Sequence, residues 1–249
     1  MSQKRTTFVI FVSTLAFALL ISGCGSGNTR SSNTGDSGTP GAQGFYLGTQ
    51  NGETFEAVVL PNDQFYALHG VTRGNLFLVA GMMAGQGRSN AGSYTATGTD
   101  YTVTPVTGTL TATYTDTGMT GTITGGGLTL PFSAGHVAGF NFHVPATLSY
   151  LGGSWIGTRM DGSYASLIVD TTGAFQGSSN GCTFTGTLTP DPGGNNFFNL
   201  TWTFGAAPCQ VPNLTLNGIA FQYVLSTSNR QLAFAANSTT TGDAFVATR

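Results

Sequence analysis

The stretch "GSWIGTRMDGSYASLIVDTTGAFQGSSNG" (153–181) decides the fold, because the chain contains a second stretch of the same pattern. It lines up with "GFYLGTQNGETFEAVVLPNDQFYALHG" (44–70). Tyr46 falls on Trp155, Gly48-Thr49 on Gly157-Thr158, and the turn Asn51-Gly52 on Asp161-Gly162. Val58-Val59-Leu60 lines up with Leu167-Ile168-Val169, and Phe65 falls near Phe175. Self-similarity at long period marks a duplicated structural unit. The two units run over 44–146 and 147–249.

Within each unit, aromatic and β-branched residues alternate with Thr, Ser and Gly, and Asn-Gly, Asp-Gly and Gly-Gly pairs break the runs. This is the pattern of short antiparallel strands joined by tight turns. Unit two parses into eight strands near 153–160, 163–169, 173–178, 181–189, 196–204, 213–223, 230–236 and 243–248. Phe198, Leu200, Trp202 and Phe204 share one face of the fifth, with Asn199, Thr201 and Thr203 opposite. Cys182, Phe184, Gly186 and Leu188 share a face of the fourth, with threonines on the other. Such strands bury one side only. The run Ala146–Leu151 fits a single helical turn. Eight short strands in about 100 residues point to a closed barrel, which leaves no edge to pair with another chain. The expected fold is therefore all-β, two tandem eight-stranded antiparallel up-and-down β-barrels. The alternative is one larger barrel or sandwich built from both halves.

Ahead of the repeats stands "MSQKRTTFVIFVSTLAFALLISGC" (1–24), with Lys4 and Arg5 before an apolar run from Phe8 to Ile21. That is the layout of a secretory signal peptide, and it is shorter than a membrane span. Its end, Ile21-Ser22-Gly23-Cys24, resembles a bacterial lipobox. The resemblance implies cleavage after residue 23 and acylation of Cys24, so that the membrane is reached through a lipid anchor. Gly25, in place of an Asp, resembles the outer-membrane class of Gram-negative lipoproteins, which implies an outer-membrane location. Residues 24–43 hold the lipidated cysteine and a small, polar stretch that reads as a flexible tether, spanning about 25 Å.

The opening Gly153-Ser154-Trp155-Ile156-Gly157 resembles the G-x-W-x-G first strand of lipocalin- and avidin-like barrels. The lipidated two-unit layout resembles surface lipoproteins of the transferrin-binding-protein-B type, without room for their handle domains. These resemblances imply a binding barrel.

Export leaves Cys182 and Cys209 as an expected disulfide in an oxidising compartment. The part after residue 23 carries six arginines, no lysine and ten acidic residues. With no basic cluster to neutralise phosphates, nucleic acid is not an expected partner.

Candidate chemistry is sparse. Gly177-Ser178-Ser179-Asn180-Gly181 fits the G-x-S-x-G nucleophile elbow, but an elbow runs into a helix, and here "CTFTGTLTP" (182–190) follows as a strand. All three histidines, His69, His136 and His143, precede Ser179. The stretch therefore reads as a hairpin corner. His136 and His143, seven apart, fall on opposite faces if they share a strand, as do Glu53 and Glu56, three apart. Met82-Met83 in "GMMAGQGRSN" (81–90) reads as packing or a hairpin tip. No catalytic residue, metal site or cofactor is expected. Tyr46, Phe65, Trp155, Phe175, Trp202 and Phe204 are candidates to line a cavity, since barrels of this size can hold one small molecule. The first expectation is that they fill a solid core instead. The sequence thus leads to a non-enzymatic envelope lipoprotein with a binding or structural role and an unknown envelope or extracellular partner. A lipocalin-like carrier of a small apolar ligand is the alternative, and a secreted hydrolase a weaker one.

Overall fold

The structure is a computed structural model that describes residues 41–249, except Asn75 and Val103. The expected signal peptide (1–23), the expected lipidation site Cys24 and the expected tether as far as residue 40 lie outside the described residues.

Among the described residues, sixteen strands form two closed eight-stranded antiparallel barrels, each with sequential neighbours paired. The first comprises β1 (Gly44–Gln50), β2 (Glu53–Val59), β3 (Gln64–Arg73), β4 (Leu76–Asn90), β5 (Ser93–Asp100), β6 (Val106–Thr115), β7 (Gly118–Gly125) and β8 (Leu128–His136). The second comprises β9 (Gly153–Arg159), β10 (Tyr164–Val169), β11 (Ala174–Ser179), β12 (Cys182–Pro190), β13 (Phe198–Phe204), β14 (Thr215–Val224), β15 (Arg230–Asn237) and β16 (Gly242–Thr248). Closure comes from β1 pairing with β8 and β9 with β16. A 3-10 turn, Leu148–Tyr150, precedes the second barrel.

The duplication is visible in atomic detail. Tyr46 donates its hydroxyl to the Ala42 carbonyl at 2.7 Å, and Trp155 donates Nε1 to the Leu151 carbonyl at 2.7 Å. In both units the first inward aromatic anchors the chain four residues before it. Ala42, which the sequence places in the tether, is fully buried, and its N–H is bonded to Ser89 Oγ at 2.9 Å.

Strand registers correct one part of the repeat alignment. Tyr46 pairs with Ala57, and Trp155 with Leu167. Ala57-Val58-Val59 is therefore the counterpart of Leu167-Ile168-Val169, one residue earlier than sequence matching suggests. The β1–β2 connection has two residues and the β9–β10 connection four, so an ungapped match slips between them. A one-residue slip reverses every side-chain direction. Phe65 and Phe175 do correspond, through Val59 and Val169.

The barrels pack side by side through the outward faces of β1–β4 and of β14–β16. Phe45, Val58, Tyr66, Leu68 and Met82 from the first and Phe221, Tyr223, Ala233, Ala244 and Val246 from the second form one buried cluster. The Phe45 ring lies 4.9 Å from Phe221 and 5.1 Å from Tyr223. Strands facing a partner barrel are buried on both sides, which is why "RQLAFAAN" (230–237) and "GDAFVAT" (242–248) lack the alternation seen elsewhere. Met82, fully buried in mid-strand, belongs to this contact, and its neighbour Met83 points into the first barrel. Neither is at a hairpin tip.

A one-ended cavity in the first barrel

Inward positions can be matched between the barrels by following the registers from Tyr46 and Trp155. Gly98, Gly108 and Gly121 of the first barrel fall opposite Trp202, Leu216 and Phe234 of the second. Ala57 falls opposite Leu167. Each substitution takes a large side chain out of the first interior, and the sum leaves a cavity of about 330 Å³. Its wall is apolar, built by side chains such as Val59, Phe65, Met83, Leu110 and Phe132.

The second barrel is solid. Trp155, Phe175, Trp202 and Phe204 are all buried in its core. Trp202 lies 5.5 Å from Phe184 and 5.8 Å from Phe234, and Phe234 lies 5.6 Å from Phe245. Of the six aromatic candidates, Tyr46 and Phe65 line the cavity, whereas these four fill the neighbouring barrel.

One end of the cavity is shut. Tyr46 and Tyr94 cross it, bonded to the Ala42 and Asp63 carbonyls. Burial pushes both phenols well above their ordinary pKa, with Tyr114 adding to the effect at Tyr46 and Asp63 at Tyr94. The other end opens to solvent, where Val106 and Leu128 are exposed at the lip. Its polar rim consists of Gln50, Glu53, His69 and Asp100. His69 Nδ1 lies 3.4 Å from Glu53 Oε2, and its Nε2 lies 3.6 Å from Asp100 Oδ2. Burial alone would lower the His69 pKa, but Asp100 and then Glu53 outweigh it, so the net displacement is upward. The two nitrogens face different carboxylates, so they cannot aim at one ion. Among the described residues no group of such side chains is arranged to hold a metal.

The corresponding end of the second barrel is plugged. Arg159, the counterpart of Gln50, reaches the buried Asp243 with Nε 2.9 Å from Oδ2. Burial raises the Asp243 pKa to about 6, although the Arg159 charge opposes the rise. The 205–214 loop is held against this end by the Cys182–Cys209 disulfide. Ser179, one residue beyond the counterpart of Leu68, takes the place of His69. It hydrogen-bonds Ser163 Oγ at 2.7 Å and the Tyr164 carbonyl at 2.9 Å. Asn180 and Gly181, with φ of 48° and 81°, make the two-residue turn into β12. Ser179 thus sits at a hairpin corner, bonded to serine and backbone.

The remaining sequence candidates are dispersed. Glu53 and Glu56 point to opposite sides of β2, as their spacing requires. Glu53 joins the rim, whereas Glu56 is buried between the barrels, accepting from Tyr223 Oη at 2.7 Å and Gln231 Nε2 at 2.8 Å. Burial lifts its pKa to about 7 against these bonds. His136 ends β8 with its ring 4.5 Å from that of Tyr46, and His143 lies in the following irregular segment, so the two do not share a strand. His69 and Asp100 of the rim carry no motif in the sequence that marks them. Extending the repeat alignment past residue 181 would have exposed the Gly98, Gly108 and Gly121 exchanges that create the cavity.

Comparison of the chain with protein-family models, with curated proteins and with solved structures finds no match.

Proposed function

We propose that this chain is a lipid-anchored outer-membrane protein whose first barrel binds a small, largely apolar ligand without catalysis. The second barrel serves as a solid support. The observation that carries the reading is the apolar cavity, closed by tyrosines at one end and open at the other. Its volume falls at the lower end of ligand pockets, roughly 300–1,000 Å³. An apolar ligand filling this space would displace water from an apolar wall and make the dispersion contacts that the wall lacks. The anchor and location rest on the lipobox at residues 21–24.

Fluorescence titration with the neutral probe N-phenyl-1-naphthylamine tests the site. Saturable binding at one probe per chain supports it. Absence of binding, or binding unaltered by Ala57→Leu, would leave a structural role as the better reading. Metabolic palmitate labelling that disappears in Cys24→Ser tests the anchor.

A further inference from the structure

The cavity rim is unbalanced in charge. Glu53 and Asp100 flank a single histidine at 3.4 and 3.6 Å, and no lysine or arginine is among the described residues that line the cavity. One imidazolium cannot neutralise two carboxylates, so the rim is negative whether His69 is charged or neutral. The Gln50 amide also borders the cavity, and its buried Nε2 has no hydrogen-bond partner among the described residues. By rotation this amide presents either a donor or an acceptor oxygen to the same space.

The barrel does not need this charge in order to close. In the second barrel the positions of Gln50, Glu53, His69 and Asp100 are taken by Arg159, Ser163, Ser179 and Phe204, which compensate charge or lack it. The first barrel places two carboxylates, which one imidazolium at most half neutralises, where an apolar cavity meets water. A ligand carboxylate there would be desolvated beside two like charges. A protonated amine would meet acceptors from β2 and β5, and the Gln50 amide once turned, while its apolar body filled the cavity.

We infer that the first barrel selects a cationic amphiphile, with a compact apolar body inside and a protonated amine at the Glu53–Asp100 rim. This rests on the binding role proposed above.

Three ten-carbon probes with the same tail, decylammonium, decanol and decanoate, separate the possibilities. Each competes with N-phenyl-1-naphthylamine on the intact protein at neutral pH and low salt, below its micellar concentration. The expected order is decylammonium, decanol, decanoate, with on the order of tenfold between the first and last, narrowing as salt screens the rim. In Glu53→Gln/Asp100→Asn, and more weakly in Glu53→Gln alone, the ratio of decylammonium to decanol affinity should fall toward one. Decanoate binding as tightly as decylammonium, or a ratio unmoved in both variants, would overturn the amine inference and leave the cavity intact. Failure of the neutral probe and all three amphiphiles to bind would overturn the binding role itself.

Discussion

The two barrels share strand number, order and register, and even the bond from the first inward aromatic to the carbonyl four residues back. They differ in what fills them. The second places Trp202, Leu216 and Phe234 on its axis, where the first has Gly98, Gly108 and Gly121. The second closes its far end with Arg159, Asp243 and a stapled loop, while the first leaves Glu53, His69 and Asp100 at an open rim. One scaffold thus supports a core or a cavity according to a few inward residues. The hollow copy gives up interior contacts that the solid copy keeps, and it packs its outer face against the solid copy.

The comparison breaks most directly at Trp202. Trp202→Ala, which moves the solid barrel toward the hollow one, should cost about 3–5 kcal/mol in denaturant unfolding. An effect below 1 kcal/mol would mean that the second interior is not close-packed. Replacing Cys182 and Cys209 by alanine removes a constraint with a sequence separation of 27 and should cost about 3.5 kcal/mol. Probe affinity in the first barrel should be unaffected, since the staple belongs to the plugged end of the other.

Glu56 tests the seam between the barrels. Its folded pKa of about 7 lies above its ordinary 4.5, so the folded state holds the proton more tightly. The advantage is complete below pH 4.5 and is lost as pH rises to 7, an effect of up to about 3 kcal/mol. Asp243, raised to about 6, slopes the same way over a lower range. Stability measured across pH 4–8 should therefore decline with pH, and Glu56→Gln should flatten the upper part of the curve. Gln231 Oε1 has no partner among the described residues, and a protonated Glu56 would donate to it once the amide turns. A slope unchanged by the substitution would remove Glu56 as its source.

The smallest stability change is expected from making the hollow barrel more like the solid one. Ala57→Leu copies Leu167 into the cavity wall and should stabilise the protein by about 1 kcal/mol while weakening probe binding at least tenfold, or about 1.4 kcal/mol. Stronger probe binding in this variant would contradict the cavity assignment.

Much of the fold was legible in residue order. The eight strands read from unit two lie within about two residues of those observed, because Phe198, Leu200, Trp202 and Phe204 alternate cleanly with polar neighbours. The opposite directions of Glu53 and Glu56 followed from the same period. The offset at Val58–Leu60 did not, since connections of different length hid the register. The site was less accessible. Tyr46 and Phe65 stand out in the sequence as large aromatics, yet the cavity owes more to glycines, which carry no conspicuous pattern of their own. His69 and Asp100 meet only because β3 and the end of β5 converge at the rim, separated by the whole of β4.

By itself, the sequence determined an all-β chain, its duplication, the facing of most strands and the pairing of its last two cysteines. These follow from local alternation, turn residues and the presence of just two cysteines within the repeated units. The tertiary structure alone decided which barrel is hollow, which end is open, and that Glu56 is sealed between two sheets. An interior volume is a sum over eight strands, and burial of an outward face depends on what docks against it. Neither quantity belongs to any one segment of the chain.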